Sequence, residues 1–132
     1  MPIKYKQGFT LPELLMTAAI MGYALSCVLV AFVGCVTLNA ISRDLTTAST
    51  HAEYIMESIR NTSFASISTS ISSGTWSWTT ANITSQGLTA MRNESTAVSV
   101  SGTTLLDVTV TISWTDVPGR SRTKTLRTLI SS

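Results

Sequence analysis

The chain of 132 residues has a single histidine, His51, and only two cysteines, Cys27 and Cys35. With no second histidine and no cysteine after Cys35, no metal-ligand spacing and no nucleophile–base pair can be read from it. Glycines are too scattered for a phosphate-cradling loop. These absences argue against an enzyme and against any bound cofactor or metal. His51 itself reads as a surface residue of a helix. Cys27 and Cys35 would stand about 12 Å apart along a helix axis, too far for a bond within the chain. They read as small apolar fillers, with a bridge between chains as the alternative. Proline is absent between Glu13 and Arg60, so no kink is expected in a helix there.

Charge is the other scarcity. Charged residues are 12% of the chain, and from Leu14 to Ser42 there are none. A helix needs about 20 apolar residues to cross a hydrocarbon layer of about 30 Å, and this uncharged run is longer. Lipid is its expected solvent. Lys4 and Lys6 precede the run, whereas Arg43 at its far end is offset by Asp44. The positive-inside rule then puts the N-terminus in the cytoplasm and the rest of the chain outside, the periplasm being the default compartment. From Phe9 onward acidic and basic side chains balance, so no highly charged partner is implied.

The junction before the run is more specific. A secretory signal places its cleavage site after the apolar region. Here the short basic stretch MPIKYKQG ends in Gly8, followed by Phe9, Thr10, Leu11 and the acid Glu13. This pattern resembles the class III signal of type IV prepilins and pseudopilins. The resemblance implies that a membrane-embedded prepilin peptidase cuts between Gly8 and Phe9 and methylates the Phe9 amine. It implies that the apolar run stays on the chain as anchor and fibre core, and that Glu13 sets subunit register by pairing with a neighbour's N-terminal amine. A local role is open to the same acid: Thr10-Leu11-Pro12-Glu13 also spells a helix capping box, and the two roles are compatible. Gly22 and Gly34 would let neighbouring helices approach, without forming a GxxxG motif. Many pilins staple a C-terminal loop with a disulfide, and some carry a proline deep in the helix. This chain has neither, which suggests a subunit under less mechanical demand.

Past the run, Leu45, Ala48, Ala52, Ile55, Met56 and Ile59 recur at helical spacing, so the helix is expected to continue to about Asn61 with those side chains inward. From Pro12 to Arg60 it would be roughly 75 Å long. Glu53, Glu57 and Arg60 read as its solvated face. Residues 62–95 are Ser/Thr-rich and read as a loop. Trp76 and Trp78 read as pins holding this loop to the core, or as an aromatic platform for a ligand. The sequons at Asn61, Asn82 and Asn93 are the chance matches expected of so Ser/Thr-rich a chain, and no function is assigned to them. Leu106, Val108, Val110, Ile112 and Trp114 alternate with polar residues, the mark of a strand with one buried face. Val98 and Val100 before it, and Leu126, Thr128 and Ile130 after it, complete an antiparallel meander, with Pro118-Gly119 read as a type II turn. Arg120, Arg122 and Lys124 read as charge on an edge strand, or as a weak phosphate-contacting patch for nucleic acid.

The expected fold class is therefore α+β. A leader covers residues 1–8 and a hydrophobic helix residues 9–42. An exterior domain follows over 43–132, divided into a half-helix (43–61), a loop (62–95) and a sheet of three or four strands (96–131). The C-terminal pattern, with its alternating valines, Trp114 strand and Leu126–Ile130 ending, also resembles type IV pilus modification (V-type) minor pilins and I-type minor pseudopilins. That resemblance implies a structural subunit that initiates or tips a pilus-like fibre. The alternatives are a type II secretion pseudopilin, or an adhesive or DNA-contacting pilin of a DNA-uptake machine. Implied partners are other pilin subunits, the prepilin peptidase, an inner-membrane assembly platform and lipid. The implied location is the inner membrane, then a pilus or periplasmic pseudopilus.

Overall fold

The computed structural model describes residues 8–131, so Lys4, Lys6 and all of the expected leader before Gly8 lie outside the described residues. The elements in chain order are α1 (Leu11–Arg60), α2 (Phe64–Ser72), α3 (Thr80–Ser85), β1 (Ser95–Ser101), β2 (Leu105–Thr115) and β3 (Ser121–Ser131). The fold class is α+β, with a long first helix and a small antiparallel sheet. The chain divides into two units, one ending at Leu38 and the other starting at Asn39.

The first unit is helix alone. It begins where the Thr10 carbonyl accepts the Glu13 and Leu14 N–H groups, both at 3.1 Å. Among the described residues, neither the Thr10 hydroxyl nor the Glu13 carboxylate makes a cap hydrogen bond, so the reciprocal capping box does not form. Its large apolar side chains are all bare, from Phe9 and Leu11 through Phe32 to Leu38. A soluble monomer does not leave so much contiguous apolar surface in water. Three hydroxyls in the run are turned back onto the helix: Thr17 donates to the Glu13 carbonyl at 2.9 Å, Ser26 to Gly22 at 2.8 Å and Thr37 to Val33 at 2.9 Å. Such groups carry no unsatisfied donor into hydrocarbon. This helix is long and apolar enough to cross a membrane.

The second unit is built on alternation and helical spacing together. Inward-facing Leu106, Val108, Val110, Ile112 and Trp114 of β2 are all buried, and they pack with Ala48, Ala52, Ile55, Met56 and Ile59 of α1. Val98, Val100, Leu126 and Ile130 extend the same sheet face from the flanking strands. The sheet order is β1-β2-β3, and Val110 sits opposite both Val98 and Leu126. Leu45 departs from the expected inward stripe and is exposed.

Four further expectations need correction. His51 is not a surface residue: it is 4% exposed, on the same face as Ala48 and Ile55. The stretch 62–95 is not simply a loop, because Phe64, Ile67 and Ile71 form the apolar edge of α2, while Ile83 of α3 is fully buried. No fourth strand forms near Trp76; only an isolated bridge joins Thr79 to Ser95. The turn after β2 also differs from type II. Gly119 N–H donates to the Asp116 carbonyl at 2.8 Å, so Gly119, at φ +85°, follows the turn rather than occupying its third position. That is the hairpin form in which a left-handed glycine resets the strand register.

The β1–β2 connection depends on one glycine. Gly102 has φ +98°, and a Cβ there would lie 2.0 Å from the Leu105 carbonyl oxygen. Gly102→Ala is expected to cost at least ~2 kcal/mol, from the left-handed backbone and the overlap combined. Chemical denaturation of the variant checks this, with Gly87→Ala as reference: Gly87 also has positive φ, at +77°, but open space around it.

Candidate functional site

Two places carry the chemistry that the sequence allows. The first is the start of α1, where Gly8, Phe9, Thr10 and Glu13 line one open recess of about 540 Å³. Phe9 is 78% exposed. Gly8 is exposed as well, and a Cβ on it would meet no described atom within 4 Å. Within the described residues the Glu13 carboxylate has no ion-pair or hydrogen-bond partner. A lone acid at the head of an apolar helix is available to a cation from another chain.

The second place is a buried polar knot. His51 Nδ1 of α1 lies 2.6 Å from Glu94 Oε1, a separation that requires a proton between them. The other carboxylate oxygen, Oε2, accepts the Met91 N–H at 2.7 Å, and the Glu94 carbonyl accepts the Thr80 hydroxyl at 3.0 Å. Both side chains are almost wholly removed from water. The knot therefore ties α1, α3 and the approach to β1 together. It is closed to solvent and has no room for a substrate, so it is structural. His51 was detectable from its spacing to Ala48 and Ile55; Glu94, in a polar stretch, had no such signal.

Trp76 and Trp78 do not form an exposed pair. Trp76 is 5% exposed and its indole N–H donates to Ser58 Oγ at 3.1 Å. Trp78 is half-buried, donates from Nε1 to the Thr75 carbonyl at 2.9 Å and leans on Tyr54 with ring centroids 6.1 Å apart. Thr96 fastens this stretch to β1. Its hydroxyl donates to the Trp76 carbonyl at 2.6 Å, its N–H donates to the Trp78 carbonyl at 2.8 Å, and its hydroxyl oxygen accepts the Trp78 N–H. An aromatic platform for a ligand is thus not present at this pair.

The basic turn is neutralised only in part, by a single aspartate. Asp116 is fully buried. It accepts the Arg120 N–H at 2.7 Å and Arg122 Nε at 3.0 Å, and the Arg120 guanidinium stands 3.4 Å away. Of the three basic residues only Lys124 has no acidic partner among the described residues, which leaves little of a phosphate-contacting stripe. Burial pushes the Asp116 carboxyl up, but the Arg120 N–H, the Arg122 hydrogen bond and the two guanidinium charges together hold it below its ordinary value of 3.8. On the outer sheet face Arg127 grips Asp107 through both Nε and Nη2, and this hydrogen bonding, against partial desolvation and with the Arg127 charge, lowers Asp107 likewise.

The sign of the pH effect follows. Both aspartates have folded values below their unfolded ones, so each adds stability above about pH 4 that is lost as pH falls through the lowered value. Asp116→Asn is expected to lower the thermal midpoint near neutral pH and to converge with the parent chain in acid. Thermal scans across pH check this, and a constant offset at every pH would contradict it.

No family model matches the chain, and no curated protein or solved structure does so either.

Proposed function

We propose that this chain is a structural subunit of a type IV pilus-like fibre, a minor pilin or pseudopilin that helps initiate or tip it. The observation that carries the reading is the head of α1: an exposed Gly8–Phe9 junction and a Glu13 without a partner among the described residues, leading a helix whose large apolar side chains are uncovered as far as Leu38. A membrane peptidase removes residues 1–8 and methylates Phe9. The helix from Phe9 to Ser42 first holds the subunit in the cytoplasmic membrane, N-terminus inside. It then passes into the fibre, where neighbouring helices replace lipid around it. Glu13 accepts the charge of a neighbour's terminal amine, which fixes the axial step. The second unit, with its closed core, stands outside the membrane and performs no chemistry.

The intact mass of the protein taken from its native membrane tests this. The expected mass lacks Met1 to Gly8 and carries one methyl group. A mass that retains the leader, in cells whose prepilin peptidase is active, overturns the reading.

A further inference from the structure

At one end of the second unit a groove of about 500 Å³ is lined by Arg43, Asp44 and Thr47 of α1, by Thr89 to Arg92 before β1, and by Thr115 and Val117 at the end of β2. The Thr115 N–H donates to the Arg92 carbonyl at 2.9 Å, so two of its walls are tied together. Arg43 is 79% exposed and reaches Asp44 only at 3.9 Å. Arg92 is exposed and has no acidic partner among the described residues. The adjoining turn brings Arg120 and Arg122 around the single Asp116. This end therefore gathers four arginines against two aspartates, although the chain from Phe9 on is nearly neutral. Beside them Val117 is 65% exposed, a bare apolar side chain on a turn otherwise crowded with charge.

Depth decides what such a groove meets. The uncharged run from Leu14 to Ser42 extends about 43 Å as helix, which matches a bilayer with its headgroup layers rather than its hydrocarbon alone. Arg43 is the next residue in the chain, so connectivity alone brings this wall of the groove to the level of the outer headgroups. We propose that this groove binds the phosphate of an anionic phospholipid, with Arg43 and Arg92 contacting the phosphate oxygens and the groove threonines available to the headgroup. The site rests on the membrane-anchored reading of α1. Its effect would be to hold the second unit against the bilayer until the subunit is extracted.

The test is amide hydrogen exchange of the full chain in bilayer discs, comparing neutral phosphatidylcholine with the same lipid containing about one fifth phosphatidylglycerol. Exchange over residues 89–92 and 115–120 is expected to slow about tenfold in the anionic discs, each arginine contributing a few-fold attraction. Arg43→Gln with Arg92→Gln should remove that difference while leaving the thermal midpoint unchanged, since both side chains are exposed. Equal exchange in the two lipids overturns the headgroup site but leaves the anchor intact. Failure of the chain to enter discs or float with vesicles overturns the anchor reading and the site with it. Equal protection by inorganic phosphate in neutral discs would assign the groove to free anions, and protection that grows with protein concentration in detergent would assign it to a second copy. Either result overturns the lipid assignment.

Discussion

Glu94→Ala is expected to destabilise the second unit by ~3–5 kcal/mol, the cost of breaking a buried pair from one side. Three losses coincide. His51 Nδ1 loses its partner at 2.6 Å, the Met91 N–H loses its acceptor at 2.7 Å, and a fully buried side chain leaves a cavity. Native domains hold only about 5–15 kcal/mol in total, so this one change removes a large share of the margin. Denaturant unfolding of the full chain in micelles, followed by the tryptophans, measures it. Glu94→Gln keeps an acceptor for Met91 and should cost less. Changing His51 and Glu94 together to apolar residues of similar volume should recover part of the loss, because the pair is then removed whole and only the Met91 N–H is left without its acceptor. A loss under about 1 kcal/mol for Glu94→Ala would mean that water reaches the knot and satisfies it.

The legible and illegible parts of this fold differ for physical reasons. The strand Leu106–Trp114 declares itself because a period of two can bury only one face, and every second side chain there is large and apolar. The later half of α1 is legible through Ala48, Ala52, Ile55 and Ile59 in the same way. His51 belongs to the same stripe: a lone histidine suggests a surface by its type, but its spacing to Ala48 and Ile55 puts it inside. The helices within 62–95 were obscured by serine and threonine, which have low helix propensity and favour turns. Yet Phe64, Ile67 and Ile71 carry the three- and four-residue spacing, and Asn82 Oδ1 holds the start of α3 by accepting the Thr79 N–H at 3.1 Å. Glu94 and Asp116 are illegible for another reason. A buried acid is tolerated only when donors surround it, and those donors come from chain positions whose proximity no local pattern encodes: His51 in one case, the Arg120 N–H and Arg122 in the other.

Glu13→Gln is expected to reduce incorporation of the subunit into fibres by roughly a hundredfold or more, while leaving cleavage and folding unchanged. Glu13 has no partner among the described residues of its own chain, and the apolar helix around it gives it no water once packed in a fibre. A neighbour's terminal amine placed beside it would then be a buried ion pair. Removing one member of such a pair costs ~3–5 kcal/mol, which is about two to three and a half orders of magnitude in an association constant. Glutamine keeps the size and the hydrogen-bonding oxygen but not the charge, so packing is preserved and only the pairing is lost. The second unit begins at Asn39, beyond the substitution, so its thermal midpoint should match that of the parent chain. The measurement is the ratio of subunit in sheared fibres to subunit in membranes, with intact mass confirming loss of the leader in both chains. Glu13→Asp, which keeps the charge but retracts it by one methylene, should fall between the two. If Glu13→Gln is processed and enters fibres at the parent level, the acid serves only the head of its own helix, and the axial register must be set by the apolar side chains alone.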